Sequence, residues 1–341
     1  MLFTKYLGID LGTDTTRIYL KDNGIVVNEP SIVAVNDRTD RVVAVGQKAK
    51  EMLSRTPTHV TALRPVDNGV IADFDMAKEM VQRFLNSNSL PWSWFTEIVG
   101  TIPTNLTEVE RKSVMDLLEE VGASDVYLLE EPLAAAFSGH LEVDNPTAYL
   151  MVDIGSGTTD MAIISMNGIV ISERLKIAGR HFDRKIIQGV EKEFNLDIGE
   201  PTAEKIKLGT GTVVSDGESS EVTIRGRDIK TGLPKEMNIS GSQVKEWLSP
   251  PVKKITESLK DLIEETPPEL VGDVYKNGIY IAGGGSLLRG IDRVISEEVG
   301  VETNIINEPQ TCVARGSGIV VEDLQNYEHL LNNFAPSPLN K

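Results

Sequence analysis

Two aspartates, each closing a short apolar run and each followed by a glycine turn rich in hydroxyls, are the residues best suited to do chemistry. Asp10 lies in Leu7-Gly8-Ile9-Asp10-Leu11-Gly12-Thr13-Asp14-Thr15-Thr16. Asp153 lies in Leu150-Met151-Val152-Asp153-Ile154-Gly155-Ser156-Gly157-Thr158-Thr159. Glycine lets backbone N–H groups approach an anion where a Cβ would intrude. A third turn, Gly283-Gly284-Gly285-Ser286, follows the apolar run Ile279-Tyr280-Ile281-Ala282 and opens a helix, whose N-terminus favours anions. Singly, each is only a turn. Together, two can grip a phosphate chain from opposite sides while the third holds the rest of a nucleotide.

A carboxylate beside a polyphosphate is repulsive unless a divalent cation lies between them. Mg²⁺ keeps several waters and takes few protein ligands, so Asp10 and Asp153 are expected to hold its water shell. The plainer alternative is that each aspartate caps its own turn, and the matched pair favours the metal. Glu131, in Glu130-Glu131-Pro132, follows a strand and opens a helix, where it can orient or deprotonate a water. By itself the position is equally well explained as an acidic residue at a helix N-terminus.

The elements that must position these residues are also repeated. Asn23-Gly24 and Asn167-Gly168 each separate two apolar runs, a tight-hairpin signal. Each copy therefore reads strand, glycine turn, strand, tight turn, strand. Two copies about 143 residues apart imply two related halves, each with its own sheet. Elsewhere strand and helix signals alternate, which indicates an α/β fold. Helices are expected over Glu51–Arg55, Met76–Leu85, Arg184–Phe194 and Thr202–Leu208. Thr107 and Glu110 form a capping box for a helix carrying Val114, Leu117, Leu118 and Val121 on one face, with Gly122 at its end. A long helix from about Gln243 to Glu265 is expected to bend at Pro250-Pro251.

At 341 residues the chain is long enough for about two domains. With 34 basic and 51 acidic residues, the net charge of −17 excludes a general nucleic-acid binder, because a phosphate backbone must be met by clustered Lys and Arg. The single cysteine, Cys312, permits no intrachain disulfide and points to a reducing cytoplasm. No apolar run reaches the ~18 residues of a membrane span, and the N-terminus lacks the apolar core of a signal peptide.

Taken together, these motifs resemble the actin-like ATPase superfamily. The two Asp-aliphatic-Gly turns are similar to its phosphate-1 and phosphate-2 motifs, and Gly283 to Leu287 to its adenosine motif. The resemblance is nearest to the MreB family of bacterial actins. It is carried by Asn28-Glu29-Pro30-Ser31, Gly69-Val70-Ile71-Ala72-Asp73, Glu131-Pro132-Leu133-Ala134-Ala135-Ala136, Thr202-Ala203-Glu204-Lys205-Ile206-Lys207, Thr266-Pro267-Pro268-Glu269-Leu270 and Gly283 through Gly290, and covers roughly residues 5–323. It implies two RNase H-like domains around a nucleotide cleft, each with a smaller inserted subdomain. The first half would span 1–145, with an insertion at about 31–73, completed by 310–325; the second would span 146–309, with an insertion at about 178–240; 326–341 would be a weakly ordered tail.

By the same resemblance, ATP or ADP with Mg²⁺ is the cofactor. Gly12, Thr13, Asp14 and Thr15, with Gly155, Ser156, Gly157 and Thr158, would wrap the phosphates. Glu204, Lys205, Ile206 and Lys207 would meet the ribose and adenine, as would Gly283, Gly284, Gly285, Ser286 and Leu287. Spacing alone reads Glu204 and Lys207 as a surface ion pair. Glu131 matches the position that orients the attacking water of a slow ATPase, a timer on filament state. Asp14, Ser156, Asp160 and Arg180-His181 depart from the family's usual residues. Implied partners are further copies of the chain in paired protofilaments, the inner face of the cytoplasmic membrane and membrane proteins of the cell-elongation machinery, in the service of wall synthesis and rod shape. The aromatic cluster Leu90, Trp92, Trp94 and Phe95 is either buried under a neighbour or dipped into a bilayer interface. The alternatives are another filament that positions a plasmid or organelle, a small-molecule kinase or a chaperone-type ATPase of the same superfamily.

Overall fold

A computed structural model of the chain describes residues 5–53, 59–87, 96–215 and 221–331. The chain opens with β1 (Lys5–Leu11), β2 (Thr15–Leu20) and β3 (Gly24–Pro30). Next come β4 (Val33–Asn36), β5 (Arg41–Val45), α1 (Gln47–Met52), β6 (Val60–Leu63), β7 (Val66–Asp67) and β8 (Val70–Ile71). They are followed by α2 (Phe74–Ser87), β9 (Thr96–Ile102), α3 (Glu108–Glu120), β10 (Asp125–Glu130) and α4 (Glu131–Ser138). The second series begins with β11 (Tyr149–Ile154), β12 (Thr159–Ser165), β13 (Gly168–Leu175), α5 (Gly179–Phe194), β14 (Leu196–Asp197) and α6 (Glu200–Thr210). It continues with β15 (Glu221–Asp228), β16 (Pro234–Ser240), α7 (Gly241–Glu265), α8 (Pro268–Asn277), β17 (Ile279–Ala282) and a 3₁₀ turn at Gly284–Leu287. Last are α9 (Ile291–Val299), β18 (Thr303–Ile305), α10 (Cys312–Glu322) and α11 (Leu324–Leu331).

The two repeats build two five-stranded sheets of the same topology. One has the order β10-β9-β1-β2-β3 and the other β18-β17-β11-β12-β13. In each, the repeat supplies an antiparallel meander, and two further strands join parallel to its first strand.

Strand alternation decides what each sheet face meets. Leu7 and Ile9 of β1 point into a core with α2 and α3, where Met80, Phe84, Leu117 and Leu118 are buried. Leu150, Val152 and Ile154 of β11 point into a separate core with Phe182, Ile186, Val244 and Ile255 from α5 and α7. The opposite faces of both sheets share a third core. Met151, Ala162 and Ile164 of the second sheet meet Val99 and Leu129 of the first through α4 and α10. Gly8, on this inner face of β1, leaves room only for Ser317 of α10.

Several elements differ in extent from the sequence expectation. Helix α1 starts at Gln47, four residues before the expected Glu51, because Ala49 is buried beneath the small β5-β4-β6 sheet. Helix α7 spans Gly241–Glu265, two residues longer at its start than expected, with Pro250 and Pro251 inside it and Trp247, Leu248, Pro251 and Val252 buried along one side. The capping box of α3 forms as expected, with Thr107 Oγ1 accepting from Glu110 N and the Glu110 carboxylate accepting from Thr107 N. Helix α11 occupies Leu324–Leu331, where weak order was expected from residue 326. Among the described residues no helix is long and apolar enough to cross a membrane. Leu90, Trp92, Trp94 and Phe95 lie outside the described residues.

Candidate functional site

The same alternation that builds the cores aims the two aspartates. Asp10 shares the parity of Gly8, and Asp153 that of Met151, so both project from strand ends toward the inner layer of α4 and α10. A cavity of about 500 Å³ opens there between the sheets. The first residue of α4, Glu131, lines its inner end.

The glycine turns form as a matched pair. Gly12 N donates to Thr15 O at 3.2 Å, and Gly155 N donates to Thr158 O at 2.9 Å. The turns touch each other and a third loop. A Cβ on Gly157 would lie 2.5 Å from Thr13 Oγ1 and 2.9 Å from Asn68 Cα. The β7–β8 hairpin turns through Asn68 and Gly69, both at positive φ, and Gly69 N donates to Thr13 Oγ1 at 2.9 Å. Gly283 has φ 78°, and any side chain there would collide with Asp153 Oδ1 and Ile154 O. The third turn is therefore packed directly behind the second.

Of the expected residues, Asp10, Gly12, Thr13, Asp14, Thr15, Glu131, Asp153, Gly155, Ser156, Gly157, Thr158, Glu204, Lys207, Gly283, Gly284, Gly285 and Leu287 line the cavity. Lys205, Ile206 and Ser286 do not, which corrects the sequence reading. Helical periodicity turns Ile206 into the core of the second sheet and Lys205 outward to Thr223 O. Ser286 is buried with its hydroxyl donating to Gly283 O at 2.7 Å. Glu204 and Lys207 do not pair with each other. Lys207 Nζ lies 2.8 Å from Asp183 Oδ2, and Glu204 Oε1 lies 3.3 Å from Lys50 Nζ. Asp14 has a counter-charge, with Arg64 Nε 3.2 Å from its Oδ1.

Two charged residues beside the aspartates carry no role in the sequence reading: Arg17, which lines the cavity, and Asp160, noted there only as a departure from the family's usual residues and buried behind it. Arg17 stands opposite Asp10 in the β1–β2 ladder, and Asp160 stands opposite Asp153 in the β11–β12 ladder. The signal was available, because both lie seven residues after their aspartates. Arg17 Nη1 donates to Asp10 Oδ2 at 3.2 Å. Asp160 Oδ1 accepts from Thr104 N at 2.8 Å and from Thr104 Oγ1 at 2.9 Å, tying β12 to the loop after β9. Part of the cavity's apolar lining also lies outside the sequence reading. Phe182, Leu208, Leu288 and Val313 line the cavity with Leu287, and nothing in their spacing distinguishes them from core or surface residues.

Electrostatics make this floor a place that wants a cation. Burial, then the charges of Asp160 and Asp10, pushes Asp153 up to about 7. Removal from solvent, then the charges of Asp160, Asp153 and Asp10, holds Glu131 well above the usual carboxylate range. Burial also raises Asp10, against the pull of Arg17. Carboxylates this close cannot all ionise unless positive charge joins them. Asp153 Oδ1 and Asp160 Oδ2 are buried acceptors with no hydrogen-bond partner within the protein. Among the described residues no three His, Cys, Asp or Glu side chains form a direct metal cluster. The two unpaired acceptors fit a hydrated Mg²⁺ held through water.

The chain matches the MreB/Mbl protein family over residues 4–329. It is 41% identical over 324 residues to the cell shape-determining protein Mbl of Bacillus subtilis, covering 95% of this chain and 97% of that protein. Its fold superposes on MreB5 of Spiroplasma citri bound to AMPPNP with a TM-score of 0.92 at 35% identity, covering 97% of this chain and 99% of the other. The ADP-bound form of that protein gives 0.91 at 34% identity, covering 96% of this chain and 99% of the other. The MamK double helical filament shares the fold at 21% identity, with a TM-score of 0.79 over 94% of this chain and 99% of that one.

Proposed function

The chain belongs to the MreB/Mbl family and has its actin-like ATPase fold, and from that premise we propose that it is an ATP-binding cytoskeletal protein that hydrolyses ATP slowly as it assembles into filaments. The observation that carries the reading is the convergence of both repeat turns, Gly283 and Glu131 on one cavity. In this reading residues 1–145, completed by 310–325, and residues 146–309 are the two halves that close on the nucleotide.

Bound Mg²⁺ supplies the charge neutralisation that phosphoryl transfer requires. The chain's own residues do the rest. Gly12 N and Gly155 N close the two turns on Thr15 O and Thr158 O, and the backbone N–H groups between them, at residues 13–15 and 156–158, meet the phosphates without adding negative charge. Asp10 and Asp153 orient the water shell of the cation. Leu208 and Leu287, 75% and 54% exposed, offer apolar surface to a flat base. Glu131 holds the water that attacks the terminal phosphate. The filaments are proposed to lie at the inner face of the cytoplasmic membrane, with Leu90, Trp92, Trp94 and Phe95 as the contact. There they would work with membrane proteins of the elongation machinery to organise wall synthesis and maintain rod shape.

Glu131→Ala tests the site. It is expected to retain ATP affinity within about threefold and to lose roughly 10²–10⁴-fold in hydrolysis. Loss of binding instead would contradict the water-orienting role. Sedimentation with Mg-ATP, with and without anionic liposomes, tests the assembly. A chain that stays monomeric throughout and phosphorylates a small molecule would overturn the filament reading in favour of a kinase.

A further inference from the structure

The two repeats place opposite charges at equivalent positions. Seven residues after Asp153 stands Asp160, whose Oδ1 is engaged by the backbone and hydroxyl of Thr104. Seven residues after Asp10 stands Arg17, a cation on the same inner face. The Arg17 side chain is only 15% exposed, and it lines the cavity together with Gly12, Thr13, Gly155 and Gly157. It engages the protein on one side alone, through Nη1 to Asp10. Its Nε is buried and has no hydrogen-bond partner within the protein. The guanidinium is thus incompletely paired, and an anion in the cavity that Arg17 lines is the group that can meet the part of it left open.

The other cations of the cavity rim are differently placed. Lys207 is held by Asp183 and by Gly179 O on the α5–α6 side. Arg289 lies beyond the third turn, next to Leu288. Arg17 alone of these three is fixed in the ladder beside a phosphate turn, opposite the very aspartate expected to orient the metal's water shell.

The geometry points to Arg17 as a phosphate-binding residue of this chain: its guanidinium pairs with the terminal phosphates of a nucleoside di- or triphosphate and supplies affinity that does not depend wholly on the divalent cation. The inference rests on the nucleotide reading of the cleft. Asp10 is then shared. It holds Arg17 in position from one oxygen, while its other oxygen accepts from Thr101 Oγ1 at 3.5 Å and keeps a second lone pair for the water shell of the metal. A fixed guanidinium also offsets the carboxylates that crowd the floor, and a charge-assisted pair with phosphate is among the stronger polar contacts available.

The test is equilibrium binding of a fluorescent ATP analogue and its ADP counterpart. Wild type, Arg17→Leu and Arg17→Lys are compared, in excess Mg²⁺ and in EDTA, with unlabelled adenosine as a competitor that lacks phosphates. Wild type is expected to keep measurable affinity in EDTA. Arg17→Leu is expected to lose about tenfold or more in EDTA and less in Mg²⁺, with adenosine competition unchanged. Arg17→Lys, which keeps the charge, should stay within about threefold of wild type. Equal binding by Arg17→Leu and wild type in both conditions overturns the proposal and leaves the nucleotide reading intact. So does wild-type binding that vanishes entirely in EDTA. Should Arg17→Leu fail to fold, Arg17→Gln, which keeps a donor for Asp10 but carries no charge, decides: a loss of about tenfold or more in EDTA supports the contact, and affinity equal to wild type refutes it. Failure of wild type to bind either analogue in Mg²⁺ is a different result, and refutes the nucleotide reading itself.

Discussion

Asp183 lies 2.8 Å from Lys207 Nζ, yet burial outweighs that partner and lifts its carboxyl to about 6. The folded value therefore stands above the unfolded one. Its contribution to stability is full below about pH 4 and is lost as pH rises through 6. Asp183→Asn removes the titration, so the melting temperature of the variant should rise relative to wild type between pH 4 and pH 7. A difference that falls across that range would show the ion pair outweighing burial, and a constant one would show the two in balance. The same contest explains what was legible at the residue scale. Asp10 and Asp153 could be read because strand, acid and glycine turn coincide twice. Arg17 and Asp160 lie at an equal offset, but in strands where polar and apolar residues both occur, so only the fold reveals which face they take. Lys205 and Ile206 were drawn into the site by a contiguous motif, although helical periodicity spaces the inward positions three and four apart.

Elements were legible where local chemistry and packing agree. The capping box at Thr107 needs no tertiary context, and neither do the two Asn-Gly turns, which place Asn167 and Gly24 at positive φ. They were less legible where packing overrides local preference. Helix α7 forgoes two backbone donors at Pro250 and Pro251, and the burial of Pro251 and Val252 offsets that loss. Two glycines separate local preference from packing. Gly272, in α8, has no atom within 4 Å of where a Cβ would stand. Gly316, in α10, faces Ala134 of α4, and a Cβ there would collide with the Ala134 carbonyl. Both alanine substitutions gain the same helix propensity, about 0.5–1 kcal/mol. Gly272→Ala should therefore raise the thermal midpoint by about 0.5–1.5 °C. Gly316→Ala should lower stability by about 1–3 kcal/mol or more, because α10 must shift away from α4 in the layer both sheets share. Equal shifts in thermal melts of the two variants would remove close α4–α10 packing as a constraint on the fold.

At the scale of the whole molecule, the repeat foretells two similar sheets but not how they are held together. The inner core of α4 and α10 joins them at the base of the cleft. Charged pairs join them at its mouth, and these come from residues distant in sequence, which no local pattern reveals. Lys50 meets Glu204 at 3.3 Å, Arg64 meets Glu200 at 3.0 Å, and Arg180 meets Asp67 at 2.6 Å. On one side stand α1, the residue after β6 and the β7–β8 hairpin; on the other stand α5 and α6. Part-exposed pairs of this kind contribute about 0.2–1 kcal/mol each, too little to set global stability. They can still set the rate at which the cleft opens, because opening must break them while the inner core stays packed. Glu200→Gln removes one pair and leaves Arg64 on Asp14. At low salt it should speed ADP dissociation by about two- to fivefold, the factor that up to about 1 kcal/mol allows. The melting temperature should move by no more than about 2–4 °C. Near 1 M salt the Debye length falls to about 3 Å, and the wild-type rate should rise to meet that of the variant. Stopped-flow release of a fluorescent ADP across a salt series measures this. An increase that persists unchanged at high salt would assign the effect to altered packing of α6, and no increase at low salt would mean that the mouth opens before the nucleotide-limiting step.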